Sequence, residues 1–270
     1  MSRAPDARRP VRTKVAAMGA AAALMAGVGV AAGGSAAAAP APRAAVSTKA
    51  SAVLAALART AAAQPAKPRT GRYEYLETKD WSTDETDSGS GTTDRLGRDR
   101  RQFWIAGNGS GRIVDVSGGK VYAQRFGPGK LSAPEAYPTN PKALQKVLAK
   151  SHPAYGTYEW MVAVNDVWDG QIVSPKLESA LLRMLIGKPQ LRYRGMVTDL
   201  QGRRGLAISS DTFHNGRMRT TLIFDPATGG LLDFEQQPLT RVFRVKKSVD
   251  GFGETAWLAE GYTTSDRRTP

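Results

Sequence analysis

The chain has no cysteine and only two histidines, His152 and His214. Without Cys there is no disulfide scaffold, no zinc ribbon, no iron–sulfur cluster and no thiol nucleophile. Two histidines are too few for a multi-histidine metal centre. Acidic residues are also scarce: 24 Asp and Glu stand against 38 Lys and Arg, a formal charge of +14 over 270 residues. The remainder is ordinary for a globular chain, with 41% hydrophobic and 23% charged residues. That balance separates it from disordered sequences, which lack the apolar surface to bury.

The N-terminal stretch carries Arg3, Arg8, Arg9, Arg12 and Lys14 against Asp6, and then residues 15–38 hold no charge at all. A basic head followed by an apolar run is the layout of a signal peptide. The run is also long enough to cross a bilayer, which takes about 20 residues. It is mostly Ala and Gly, however, with only Met18, Leu24, Met25 and three valines as strongly apolar members. A cleaved signal peptide and an uncleaved N-terminal membrane anchor are therefore both open, with the composition favouring the first. Ala36 and Ala38 fit the A-x-A preference, placing a cut near Ala38–Ala39. On either reading the cations hold the head in the cytoplasm, and the rest is exported, secreted or displayed at the cell surface. Arg8-Arg9 is followed by Pro10-Val11-Arg12, without the bulky apolar pair of a twin-arginine signal. Removing residues 1–38 takes away five cations and one anion and leaves +10. Residues 39–46 read as an Ala/Pro linker, and residues 47–270 as a single extracytoplasmic domain, large enough to bury a core without disulfides.

Helical spacing of Leu54, Leu57, Ala58 and Ala61 predicts a helix over 47–63, ended by Pro65 and Pro68. Alternation then predicts strands over 72–78, 101–106, 112–116 and 120–126, with residues 81–98 a loop or the ends of a long hairpin. The middle is helical: 141–150, 157–168 and 174–186, the last opened by Ser174 as cap and Pro175 behind it. Further strands follow over 191–198, 204–210, 217–224, 231–237, 241–247 and 255–263, with Asp225-Pro226-Ala227-Thr228-Gly229-Gly230 as a reversal. The order predicts an α+β fold on one antiparallel sheet of about ten strands, preceded by the signal or anchor helix.

Four stretches follow a recurrent order: RRQFWIA at 100–106, SPKLESALLRMLIGKPQLRYRGMVTD at 174–199, GRRGLAI at 202–208 and TLIFDPATGGLL at 221–232. Over residues 70 to 250 the chain resembles a family of uncharacterised exported or single-pass surface proteins of high-GC Gram-positive bacteria. That family assigns no catalytic residues. The cytoplasmic head here is too short to hold a sigma-binding helical module. The element order is also distantly similar to periplasmic lipoprotein carriers and the sensor domains of envelope-stress regulators. The resemblance implies a curved, open half-barrel with helices covering one face and an apolar space for lipid or lipoprotein between the layers.

Catalytic patterns are weak. Gly89-Ser90-Gly91 and Gly109-Ser110-Gly111 lack the G-x-S-x-G spacing of a nucleophile elbow and read as polar turns. Ser117-Gly118-Gly119-Lys120 is followed by Val121 rather than Ser or Thr, so it reads as a hairpin turn and not a phosphate loop. Asp84, Glu85 and Asp87 would begin a calcium loop, but its closing acid is Arg95. His152 and His214 are expected on surface connections, with no partner at a fixed spacing. Asp233 and Glu235, at i and i+2, could do acid–base work, but alternation with Leu232 and Phe234 makes them a solvated sheet face.

Arg95, Arg98, Arg100 and Arg101 are interleaved with Asp94 and Asp99. Arg241, Arg244, Lys246 and Lys247 form a cleaner basic rim. Outside the cytoplasm such a rim meets lipid headgroups or anionic envelope polymers, not nucleic acid. Tyr73, Tyr75, Phe103, Trp104, Trp160, Met161, Trp168, Met184 and Tyr193 are either core or the lining of an apolar pocket. These features lead to an expectation of a non-enzymatic exported domain, without cofactor or metal, that binds or senses an apolar or amphiphilic envelope ligand. A cell-surface protein-interaction module without a small ligand is the alternative.

Overall fold

Ser117-Gly118-Gly119-Lys120 illustrates how short-range sequence builds the sheet. Gly118 and Gly119 both adopt positive φ, 56° and 77°, the geometry that lets a two-residue turn follow the right-handed strand twist. Ser117 thereby pairs with Lys120. The computed structural model describes residues 47–87, 92–152, 156–213, 218–239 and 253–270. Its strands are β1 (Tyr73–Asp87), β2 (Thr92–Ala106), β3 (Gly111–Ser117), β4 (Lys120–Phe126), β5 (Arg192–Thr198), β6 (Arg204–Phe213), β7 (Met218–Phe224), β8 (Leu231–Pro238) and β9 (Gly253–Thr263). They form one antiparallel sheet in the order β4-β3-β2-β1-β9-β8-β7-β6-β5. Two meanders, β1–β4 and β5–β9, meet where β1 pairs with β9. The sheet is open, with β4 and β5 as its edges.

The expected α+β architecture is therefore present. Among the described residues there are nine strands. The tenth, expected over 241–247, and the N-terminal signal or anchor segment lie outside the described residues. Residues 81–98 take the long-hairpin form: β1 and β2 pair continuously from Tyr73↔Ala106 to Asp87↔Thr92.

The helices are α1 (Thr48–Ala63), α2 (Pro141–Leu148), α3 (Thr157–Gly170) and α4 (Pro175–Leu185). Three begin on side-chain caps. Ser47 accepts from the Ala50 N–H, Asn140 from Lys142 and Ala143, and Ser174 from Leu177, satisfying donors that a helix start leaves open. α1 buries Ala50, Leu54, Leu57, Ala58 and Ala61 along one stripe. α4 packs against α1, α2 and α3 and buries nearly its whole circumference. Gly229 (φ 83°) brings the β7–β8 turn against α1: a Cβ there would lie 2.8 Å from the Leu57 carbonyl oxygen. This close approach gives the Asp225–Gly230 stretch its glycine.

Strand register assigns the two faces, because successive side chains point to opposite sides. Ile208, Leu222, Phe224 and Trp257 face the helices and share one core with them. On the far side Tyr73, Tyr75, Trp104, Ala106 and Val114 form a second, smaller cluster. The C-terminal segment folds back over it: Trp104 Nε1 donates to the Arg268 carbonyl at 2.7 Å. Among the described residues no helix is long and apolar enough to cross a membrane.

Leu181 of α4 has no exposed surface. Leu181→Ala is expected to lower unfolding free energy by about 2–5 kcal/mol, read as a shifted midpoint in urea denaturation at unchanged slope.

Candidate functional site

The aromatic and Met candidates do not converge on one pocket. Tyr73, Tyr75 and Trp104 belong to the small outer cluster, with the Tyr75 and Trp104 rings 5.0 Å apart. Trp160, Met161, Trp168 and Met184 lie in the helix-side core, and Tyr193 packs at its margin. Phe103 is half-buried, with the Arg101 guanidinium 5.6 Å from its ring centre. The basic rim proposed from Arg241, Arg244, Lys246 and Lys247 lies outside the described residues.

A different cationic site appears at the β3–β4 edge of the sheet. A cavity of about 430 Å³ is lined by Arg112, Ala123, Gln124, Arg125 and Arg267. Three elements build it. Arg112 and Arg125 are direct partners across β3 and β4, and Arg267 arrives with the C-terminal segment. Asp266 organises the group: its carboxylate pairs with Arg125 at 2.9 Å, and its carbonyl accepts from Arg112 at 3.3 Å. The Arg112 guanidinium also sits 5.5 Å from the Trp104 ring centre. Two of the three guanidiniums are thus held in place beforehand. Beside them on the same face, Val114 opposes Ala123 and Val116 opposes Val121, giving an apolar strip whose outer member, Val121, is 67% exposed. A smaller cavity of about 200 Å³ lies among Arg69, Arg72, Glu74, Pro134 and Tyr262.

The carboxylates of β8 and β9 depart most from the sequence reading. Asp233 and Glu235 are not a solvated face: Asp233 is 0% exposed, and β9 places Glu254 directly opposite Glu235. One oxygen from each of Asp233, Glu235 and Glu254 lies within 4.8 Å of the others. Apart from contact with one another, both Asp233 carboxylate oxygens and Glu254 Oε1 are buried without a hydrogen-bond partner. Burial pushes all three pKa values up; repulsion from Glu254 adds for Asp233 and Glu235 and repulsion from Asp199 for Glu254. A hydrogen bond between the Asp233 and Glu254 carboxyls raises the first and lowers the second, and Glu235 reaches about 7. Neighbouring Asp199 is buried too, but it accepts from Arg203 Nε at 2.7 Å and from the Gln201 and Arg203 N–H groups. Arg203 also donates to the carbonyls of Trp257 and Leu232. This is the place where the described residues could hold a cation.

The other candidates resolve individually. Gly109-Ser110-Gly111 is a polar turn in which Ser110 bonds Asn108. Asp84, Glu85 and Asp87 lie on paired backbone opposite Arg95, Asp94 and Thr92 rather than in a calcium loop. Ser90 and His214 fall outside the described residues. His152 is not on an open surface connection without a partner: its side chain is largely covered and lies 3.4 Å from Asp166. Arg100 and Arg101 are paired with Glu77 and Asp115. Sequence reasoning missed Arg112, Arg125, Arg267 and Glu254, because strand pairing and the returning C-terminal segment bring them in from distant positions. The only sequence signal was the i, i+2 spacing of Asp233 and Glu235.

No protein-family model matches the chain, and no curated protein matches it. Among solved structures it has distant similarity to a chain of the MucA/MucB complex of Pseudomonas aeruginosa. Identity is 11% and the TM-score 0.32, over 82% of this chain and 60% of that one. For a crystal structure of MucB the values are 14% and 0.29, over 83% and 61%. A DUF1329 family protein from Desulfovibrio piger gives 9% and 0.20, over 81% and 94%. The chain thus spans about three-fifths of the length of the first two.

The raised carboxylates fix a sign for pH dependence. The folded chain binds these protons more tightly than the unfolded chain. Their contribution is full below the ordinary carboxylate range and is lost as pH rises through about 7, the value for Glu235. Glu178, buried in α4 and only partly offset by Lys67, is also raised to about 7. In chelator, melting temperature is expected to fall between about pH 5.5 and pH 8. Glu235→Gln and Glu178→Gln should each flatten that slope, and the double variant should flatten it further.

Proposed function

We propose that this chain is an exported, non-enzymatic binding domain for an amphiphilic envelope molecule with an anionic group. The observation that carries this reading is the arrangement of Arg112, Arg125 and Arg267 around one open cavity beside the Val114–Val116–Val121–Ala123 strip. Guanidinium forks match phosphate or carboxylate oxygens in geometry and charge. The neighbouring strip offers apolar area, where burial contributes about 25 cal/mol per Å². The ligand rests on the outer strands rather than between sheet and helices, because the large apolar side chains there already pack against one another. Export is argued from the basic head and the uncharged run at 15–38. The absence of catalysis is argued from the catalytic motifs that the sequence lacks.

A second reading has its own observation. Residues 120–125 of the edge strand β4 are all exposed. An extended segment of a partner protein could pair with that free edge through its main chain, as strand addition does elsewhere.

Titration calorimetry with lysophosphatidylglycerol and with lysophosphatidylcholine, both below micelle formation, separates the readings. Binding of the anionic lipid, a weaker response to the zwitterionic one, and a loss of affinity in Arg267→Glu support the amphiphile site. Equal heats for both lipids, or binding indifferent to Arg267→Glu, would overturn it. Absence of any lipid binding by the wild-type chain would leave the β4 edge as the better reading.

A further inference from the structure

We infer that Asp233, Glu235 and Glu254 form a binding site for one divalent cation of the oxygen-preferring, calcium-like class. The first ground is distance. Calcium binds oxygen at about 2.3–2.6 Å, so two oxygens on one ion can be at most about 5 Å apart. One oxygen from each of the three side chains meets that limit, at 4.8 Å or less. A magnesium ion, with oxygens at about 2.0–2.1 Å, would need a tighter group.

The second ground is independent of the clustering. Asp233 is completely buried, and its carboxylate oxygens have no hydrogen-bond partner other than the Glu254 carboxyl, a contact that requires a proton on one of the two. A buried carboxylate in that state is costly unless something positive meets it. Among the described residues no side chain supplies that charge. Arg203, the neighbouring cation, is paired with Asp199 and donates to two carbonyls. The remaining oxygens of the group are already oriented by other contacts. Gln237 Nε2 donates to Glu235 Oε2 at 3.3 Å, and the Leu200 backbone bonds the Glu254 carboxylate. The free oxygens, both of Asp233 and Oε1 of Glu254, are the ones left for an ion. The competing account is a proton shared between Asp233 and Glu254, which burial and repulsion also favour.

Trp81 provides a direct probe. It pairs with Glu254 across β1 and β9 and is itself buried, so a terbium ion at the trio would be sensitised by indole excitation. The full chain, stripped by chelator, is titrated with Tb³⁺ and then with Ca²⁺, and its melting temperature is followed with and without Ca²⁺. The site predicts tryptophan-sensitised emission that saturates at a single ion, displacement by Ca²⁺, and a Ca²⁺-dependent rise in melting temperature. Asp233→Asn and Glu254→Gln should abolish all three. Trp81→Phe should dim the emission while leaving the Ca²⁺ effect on melting. Three results would overturn the inference. One is emission that survives Asp233→Asn and Glu254→Gln, which places terbium on surface carboxylates. Another is a melting temperature indifferent to Ca²⁺. The third is Asp233→Asn raising the melting temperature in chelator and in Ca²⁺ alike, the signature of a shared proton. If Asp233→Asn does not fold, Glu235→Gln is decisive: weakened Ca²⁺ affinity supports the site, and unchanged affinity overturns it.

Discussion

The pairing of β1 with β9 is the contact on which the architecture rests. It is the junction through which the meander β1–β4 joins the meander β5–β9 in one sheet. Its two members come from opposite ends of the domain in sequence, so the loop-closure entropy is spent here. The junction is also irregular: the register shifts between Glu77 and Thr78. Close by, Arg203 ties the carbonyls of Trp257 and Leu232 to the β5–β6 turn. A single guanidinium thereby links β9, β8 and the β5–β6 turn.

The junction separates two chemically different faces. Toward the helices, the sheet contributes Ile208, Leu222, Phe224 and Trp257 to a core centred on α4. Away from them it carries a row of polar and aromatic groups that none of the four described helices covers. Here the fold uses short coverings: the C-terminal segment over Trp104, and the β5–β6 turn beside Asp233 and Glu254. Tyr75 and Glu77 bond each other on this face, and Gln102 and Arg100 complete the network. Burial alone would raise the Glu77 pKa, yet the hydrogen bonds from Arg100, Tyr75 and Gln102 hold it below the usual range. Asp233, a few positions across the same face, has no such donors and moves the other way. Depth and partners together decide the charge state of a buried carboxylate, and donors can reverse the direction that burial alone would give.

Local signals were legible because local physics decides them. The cap Ser174 with Pro175 behind it, the Gly-Gly turn at 118–119 and the Asp225–Gly230 reversal all lie where the sequence places them. The helix stripes of α1 and α4 were readable for the same reason. The fate of Asp233 and Glu235 was not. Their alternation with apolar neighbours describes a strand correctly, but solvation of one face depends on which strand arrives beside it. Glu254 and the β5–β6 turn come from elsewhere in the chain and close that face. The arginine cavity was hidden likewise: Arg112 and Arg125 look like ordinary strand residues until β3 and β4 pair and Arg267 returns over them. The nine aromatic and Met residues were ambiguous between core and pocket, and the sequence could not show that eight of them divide between two separate clusters while Phe103 joins neither.

Because Asp266 and Arg267 are carried on the same segment that shelters the Trp104 indole, docking of that segment and occupation of the arginine cavity are thermodynamically reciprocal. Anything that grips Arg267 in place tightens the cover over the indole, and any loosening of the cover weakens the grip by an equal free energy. On the proposed function, the arrival of a small charged molecule at the outer face would thus be read as the order or disorder of a chain segment.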